Sequence, residues 1–491
     1  MNRSGGSRVR STGKPARVGA SGDAPIDYAE ALAWLYSLQR FGIKLGLENI
    51  RRLIAELHVD LGNARVIHVA GTNGKGSVCA MIDSICRAGN YRTGLFTSPH
   101  LVTFRERIRV NGEMISKSEV AAGLTNIRKL VADWEPHPTF FEITTALALK
   151  HFAVVTGDPT VGDTRLSQQS EALPSPSPLP SIRGERIKVR GASKATANID
   201  VVILETGLGG RLDATNAVQS NVAVITPIAL DHEQWLGDSL EKIAREKAGI
   251  IKPRTPVVLA TQLPEAEKVI RARAAECEAP LRVVDKAYEK SPIALRGQHQ
   301  KLNAAVAIAA LKLDGLKPSS FQNAKIDPPS LRSGATGIDD AAITRGLATV
   351  EWPGRFQCWD KRTVIDGAHN PAAARTLAQT WREIFGDERA TLILAVLSDK
   401  DLRGICEALA PIADSCLLPR IRSKRAADPV ELQEILADLA CKSEIFSSFA
   451  DAFARARERS APILIAGSLH FVGEALANLR SEPAAFEECA Q

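Results

Sequence analysis

No run of this sequence stays apolar for the roughly 20 residues that a membrane helix requires, so no segment is expected to span a bilayer. The eight cysteines are scattered, with no CxxC pair and no regular spacing. That pattern argues against a disulfide framework and for reduced thiols in a cytoplasmic setting. A net charge of +6 is modest and spread out, and the first residues supply much of it. Anionic small substrates suit that balance, and no nucleic-acid footprint is called for. The basic, Ser/Gly-rich start (residues 1–25) lacks the apolar core of a secretory signal and reads as a disordered leader. It shares an Arg-rich, acid-poor composition with organellar presequences, but amphipathic apolar residues are scarce there. No repeat of solenoid length is visible.

What is present fits a soluble globular enzyme, with 45% hydrophobic and 24% charged residues. At 491 residues the chain exceeds what one core usually serves, so two domains are expected. Residues 26–58 carry apolar side chains at helical spacing. Short apolar runs at 66–70, 200–204, 222–226, 256–260, 363–365 and 391–397 then alternate with helix-like stretches, which predicts parallel α/β architecture. Two Pro/Ser-rich segments, 157–198 and 317–340, interrupt the alternation and are expected to be disordered insertions. A domain boundary is placed near residue 348, giving domains of 26–348 and 349–491.

The apolar run Val66–Ala70 breaks into Gly71-Thr72-Asn73-Gly74-Lys75-Gly76-Ser77, and an amphipathic helix is predicted over 78–88. Strand, glycine loop and helix form an anion cradle in which backbone N–H groups and the helix N-terminus face phosphate. Lys75 can reach terminal phosphates and Ser77 can ligate magnesium. The general GxxxxGK[ST] pattern is not met, because position 69 is Val and position 76 is Gly. An ordinary tight turn is the bland alternative. Three glycines, Lys and Ser after a strand favour nucleotide binding over it.

Further along, Glu205 ends one predicted strand and Asp231-His232 follow the next. Ligands of open parallel sheets bind outside such carboxyl ends. A carboxylate and an imidazole beside a phosphate loop can hold Mg²⁺, which takes few protein ligands, although hard cations prefer oxygen. Taken alone, His232 is more often a surface or core histidine. By spacing alone, Glu246 and Lys247 sit on the outer face of a helix ending at Gly249.

These residues nevertheless resemble a family. His68–Ser77, Phe96–Leu101, Phe104–Ile108, Glu205–Asn216, Asp231-His232 with Leu236-Gly237, Glu246–Ile250 and Asp366–Pro371 occur in the order seen in folylpolyglutamate/dihydrofolate synthases of the Mur ligase superfamily. The resemblance spans roughly residues 26–475 apart from the two insertions. It implies an N-terminal P-loop ATPase domain with a mostly parallel sheet, like the Mur ligase central domain, and a smaller C-terminal Rossmann-like α/β domain. It further implies that Asn73, Gly74, Lys75, Gly76 and Ser77 hold the phosphates of ATP, with Asn303, Arg355 and Asp366 as further nucleotide contacts. Ser98, Glu205 and His232 would ligate Mg²⁺. Lys247 would be the family's carbamylated lysine, and Lys75, Lys247 and His369 would be the catalytic set. Thr139, Phe140 and Phe141, followed by Glu142, resemble the pterin-binding segment, with Asp213 on the same side.

The function implied is an ATP-dependent ligase that activates a pterin carboxylate as an acyl phosphate and joins it to L-glutamate. Its substrates would be dihydropteroate and reduced folates, and it would act as a monomer. Extension of folates without dihydrofolate synthesis is the nearest alternative. A peptidoglycan-precursor ligase would usually need another N-terminal domain, whereas the phosphate loop here begins at Gly71. A regulatory ATPase would not need the segment Thr139–Glu142. The insertion at 157–198 and the turn Leu397–Asp401 depart from the family pattern.

Overall fold

The computed structural model describes residues 26–41, 46–156, 198–313 and 338–487. The expected leader lies outside them, as do residues 157–197 of the first expected insertion and 317–337 of the second. The helix Asp340–Thr349 begins at the last residue of the second, capped by Asp339, whose carboxylate accepts from Ala342 N.

Alternating apolar runs and helices build two sheets. The first contains β1 (Arg65–Ala70), β2 (Thr93–Phe96), β3 (Ile108–Val110), β4 (Glu113–Met114), β5 (Val201–Glu205), β6 (Val222–Ile225), β7 (Val257–Ala260) and β8 (Leu281–Val284). Their order is β4-β3-β2-β5-β1-β6-β7-β8. All pairings are parallel except those of β3 with its two neighbours. The second sheet contains β9 (Gln357–Cys358), β10 (Thr363–Ile365), β11 (Ala390–Leu394), β12 (Ala413–Pro419), β13 (Ser443–Phe446) and β14 (Ile463–Ala466). Its order is β13-β12-β11-β14-β10-β9, parallel apart from β9. β11 ends at Leu394, short of the expected 391–397, although Ala395 and Val396 remain buried.

The central strands are apolar throughout because both sheet faces are covered. On one face of the first sheet, Leu35, Ile50, Leu53, Leu124 and Phe152 come from four helices and share a core with Phe96 and Leu204. On the other, helices Lys75–Ala88, Gln298–Leu313 and Asp340–Thr349 bury Met81, Ile82, Val306 and Leu347 against Ile67, Val69 and Ile203. The helix Asp340–Thr349 lies so close to its neighbour that a Cβ on Gly346 would meet Ile85 backbone at 2.5 Å. In the second sheet, Trp381 is fully buried, stacks on Phe385 at 4.2 Å and donates Nε1–H to Glu388 O at 2.8 Å.

This layering fixes where chemistry occurs. β1 lies between β5 and β6, so the loops leaving the carboxyl ends of these three strands are neighbours at the point where chain direction across the sheet reverses. The carboxyl ends of β10, β14 and β11 are likewise adjacent.

Candidate active site

After β1 the chain turns at Gly71 (φ +142°), where a Cβ would lie 1.9 Å from Thr226 Oγ1. Gly74 (φ +91°) caps the next helix, which begins at Lys75 rather than at the expected Val78. Lys75, Gly76 and Ser77 therefore form its first turn. Their amides precede the first intrahelical bond from this cap, Val78 N to Gly74 O, and stay available to an anion. The loop itself is tied down, since Thr72 N and Asn73 N both donate to Pro227 O, at 3.0 and 3.1 Å. Lys75 Nζ donates to Gly71 O and Thr72 O, each at 3.1 Å.

One cavity of about 320 Å³ opens between the two sheets. Asn73 to Ser77, Ser98, Glu205, His232, Lys247 and Asn303 line it from the first half, and Arg355, Asp366 and His369 from the second. These were the residues expected for nucleotide, metal and catalysis. Thr139, Phe140, Phe141 and Asp213 do not line it.

The metal candidates Ser98, Glu205 and His232 all line the cavity. Ser98 N donates to Glu205 Oε2 at 3.2 Å, and the buried Ser98 Oγ has no hydrogen-bond partner. Burial raises the Glu205 carboxyl, partly offset by the charge of Lys75. A buried anion and an orphaned hydroxyl suit a small divalent cation. Burial lowers His232 to about 4, which leaves its imidazole neutral near pH 7. Among the described residues no three His, Cys, Asp or Glu side chains converge as a metal cage. Two such side chains and one hydroxyl fit an ion that completes its shell with phosphate and water.

Lys247 is not on an outer face. It is 5% exposed and donates Nζ–H to Gly71 O at 2.7 Å. Burial, then the nearby charge of Lys75, lowers it to about 7. In Asn303, Nδ2 donates to Gln300 Oε1 (3.0 Å), while Gln300 Nε2 donates to Ser77 Oγ (3.3 Å). Asp366 directly follows β10 and accepts from Phe356 N and Ala368 N, at 2.7 and 2.8 Å. Burial raises its carboxyl, opposed by Arg355. His369 Nδ1 donates to Gly367 O at 2.8 Å, which leaves Nε2 as the free nitrogen, 3.8 Å from Asp231 Oδ2. Burial lowers this imidazole as well.

The segment expected at the pterin divides into different roles. Thr139 N and Oγ1 donate to Glu142 Oε2, at 2.8 and 2.9 Å, so this pair caps the helix Phe140–Thr156. Phe140 is 7% exposed and stacks on Tyr36 at 5.7 Å. Phe141 is only partly buried, and a Cβ on Gly207 would lie 2.4 Å from its Cζ. Asp213 accepts from Gly207 N, Leu208 N, Thr215 N and Thr215 Oγ1, bracing the loop after β5.

Sequence reasoning missed Lys400. Its turn, noted above as a departure, places Nζ 2.7 Å from Asp231 Oδ1. It also missed Asn370, which caps the helix Pro371–Phe385 by accepting from Ala373 N at 2.8 Å. Asn370 Nδ2 reaches Asn73 Oδ1 (3.1 Å) and Asp231 Oδ2 (3.3 Å) in the other half. The Asn-Pro pair signals a helix start; nothing local in the sequence signals Lys400. His299, Gln300, Thr376 and Thr380 also line the cavity without having been singled out.

Residues 354–469 match the family model described as Mur ligase, glutamate ligase domain. A dihydrofolate synthase/folylpolyglutamate synthase of Bacillus subtilis is 32% identical over 487 residues, covering 91% of this chain and 98% of the relative. Escherichia coli FolC, solved in complex with DHPP and ADP, matches with a TM-score of 0.72 at 31% identity, covering 93% of this chain and 99% of that one. A bifunctional folylpolyglutamate synthase/dihydrofolate synthase from Yersinia pestis, complexed with AMPPNP and Mn ion, matches with a TM-score of 0.73 at 30% identity, covering 93% and 98%.

Proposed function

This chain belongs to the dihydrofolate synthase/folylpolyglutamate synthase family, and we propose that it joins L-glutamate to dihydropteroate and to reduced folates at the expense of ATP. The observation that carries this reading is one shared cavity. It is lined by the phosphate loop, a divalent-metal donor set and the residues after β10.

A carboxylate does not acylate an amine unaided. Transfer of the γ-phosphoryl group to it gives an acyl phosphate; the glutamate nitrogen then attacks the acyl carbon and phosphate departs. The residues here serve such a reaction by position and charge. Amides of the first helical turn and Lys75 hold the β- and γ-phosphates, and Asn303, Arg355 and Asp366 hold the rest of the nucleotide. Ser98, Glu205 and His232 would hold Mg²⁺, which when bound neutralises charge on the transferring phosphoryl group. Lys247, near 7, is substantially uncharged at neutral pH. Its nitrogen can add to CO₂ with loss of a proton, which turns a buried cation into a carbamate anion facing the metal site. His369, whose Nδ1 is held by Gly367 O, would take the proton released by the attacking amine at Nε2. Phe141, beside Gly207, supplies an aromatic face for the pterin.

We read the halves 26–348 and 349–491 as two domains of one monomeric enzyme, with the cavity between them. No described helix is long and apolar enough to cross a membrane, and a cytoplasmic location is read from scattered cysteines without a disulfide framework.

The test is a paired assay of purified protein with dihydropteroate or tetrahydrofolate, each with ATP, Mg²⁺ and L-glutamate. Glutamylated product and ADP are expected from both acceptors. Product from tetrahydrofolate alone restricts the activity to chain extension. ADP release that ignores acceptor and glutamate overturns the ligase reading.

A further inference from the structure

Asp231 stands just past β6 in the first half of the molecule and lines the cavity; it accepts from its neighbour His232 N at 3.0 Å, but its other close side-chain partners lie in the second half. Oδ1 accepts from Lys400 Nζ at 2.7 Å, and Oδ2 accepts from Asn370 Nδ2 at 3.3 Å, with His369 Nε2 at 3.8 Å. Both side chains of the Asp231–Lys400 pair are 8% exposed. The next carboxylate, Asp399, is 4.0 Å from Lys400 and is engaged by Arg425 at 3.0 Å. Lys400 Nζ, at 2.7 Å, is the nearest basic nitrogen to Asp231; His369 Nε2 and His232 Nε2 stand farther off, at 3.8 and 3.9 Å. The pair bridges the carboxyl end of β6 to the turn after β11, so it exists only while the two halves are closed on one another.

Building on the ligase reading above, we propose that Lys400 is a positioning residue, a clasp that keeps the second half closed over the reacting groups and so couples ATP cleavage to amide formation. In the productive sequence a carboxylate oxygen attacks the γ-phosphorus and ADP leaves. The glutamate nitrogen then attacks the acyl carbon, the bond to the phosphate oxygen breaks, and the amine gives up its proton. If the halves open between these steps, water adds to the acyl phosphate instead, returning carboxylate and phosphate with no amide made. A buried, hydrogen-bonded ion pair resists opening more than a surface pair does, because separating it strands a charge away from water.

The experiment measures ADP released per amide bond formed, with full-length protein, saturating ATP, Mg²⁺, tetrahydrofolate and L-glutamate. The unaltered chain is expected to give about one ADP per amide bond, as direct phosphoryl activation requires. Lys400→Met should keep ADP release while product falls several-fold behind it, and Lys400→Arg should restore most of the coupling. Asn370→Ser retains a capping oxygen but loses the amide that reaches Asp231 and Asn73; it should uncouple in the same direction, less strongly. That second variant decides the matter if Lys400→Met does not fold. Slower turnover at an unchanged ratio in the folded variants assigns Lys400 a structural role and overturns the clasp. Absence of glutamate-dependent product from the unaltered chain overturns the ligase reading itself, and the clasp with it.

Discussion

Lys247 Nζ donates to the carbonyl oxygen of Gly71 at 2.7 Å, joining the helix Leu240–Ala248 to the first residue of the phosphate loop. Lys75 shares that oxygen at 3.1 Å. Two amines on one carbonyl inside the molecule place a buried positive charge where a triphosphate would be recognised, and burial lowers the more enclosed of the two to about 7.

Carbamylation of Lys247 follows as a measurable outcome. Its pKa falls from 10.5 to about 7. With ¹³C-labelled bicarbonate, a carbamate resonance is expected to grow as pH rises through about 7 and to be missing from Lys247→Ala. The same shift has a sign for stability. Between about 7 and 10.5 the unfolded chain binds the proton that the folded chain has lost, so this lysine makes stability rise with pH across that window. Below about 7 both states are protonated and its contribution sits at its low plateau. A resonance of equal intensity in Lys247→Ala would refute the assignment.

Lys75→Ala should lower turnover on the order of 100- to 1000-fold, the loss typical of one preorganised charge at a reacting centre. The folded state should survive, because Nζ hydrogen-bonds two backbone carbonyls and its charge only partly offsets the burial of Glu205. Circular dichroism and steady-state ADP release separate the two effects; near-normal turnover contradicts the phosphate-loop reading.

Glu205→Gln should move activity and stability in opposite directions. Burial raises the carboxyl of Glu205, so the folded chain holds its proton to higher pH than the unfolded chain does. Stability from this group is therefore lost as pH climbs above the ordinary carboxylate range. Removing the charge should raise the ligand-free melting temperature at pH 7, with the gain shrinking towards pH 4, while Mg²⁺-dependent turnover falls. A lower melting temperature at pH 7 would show that the carboxylate is stabilising without metal.

Gly207→Ala places a methyl 2.4 Å from the ring of Phe141, which has to shift. The expected effect is a higher KM for dihydropteroate with the KM for ATP nearly unchanged, measured by varying each in turn. Equal changes in both constants would detach Phe141 from the acceptor.

The residues that the sequence determined are those whose role is local. Gly71 and Gly74 need positive φ to turn a strand into a helix start, and that demand is written in the loop itself. Glu205 was reached by the rule that ligands bind outside strand ends, whereas His232 taken alone reads as a surface or core histidine and owed its place to the family resemblance; both line the cavity. Tertiary structure decided the remainder, because burial and cross-chain partners have no local signature. Lys247 reads as a solvated helix residue by spacing, and lines the cavity because its helix packs behind Gly71. Thr139 and Asp213 carry polar groups that their own cap and loop consume. Lys400 lies 169 residues from Asp231, and only the apposition of two sheets brings a lysine in one turn onto a carboxylate in another.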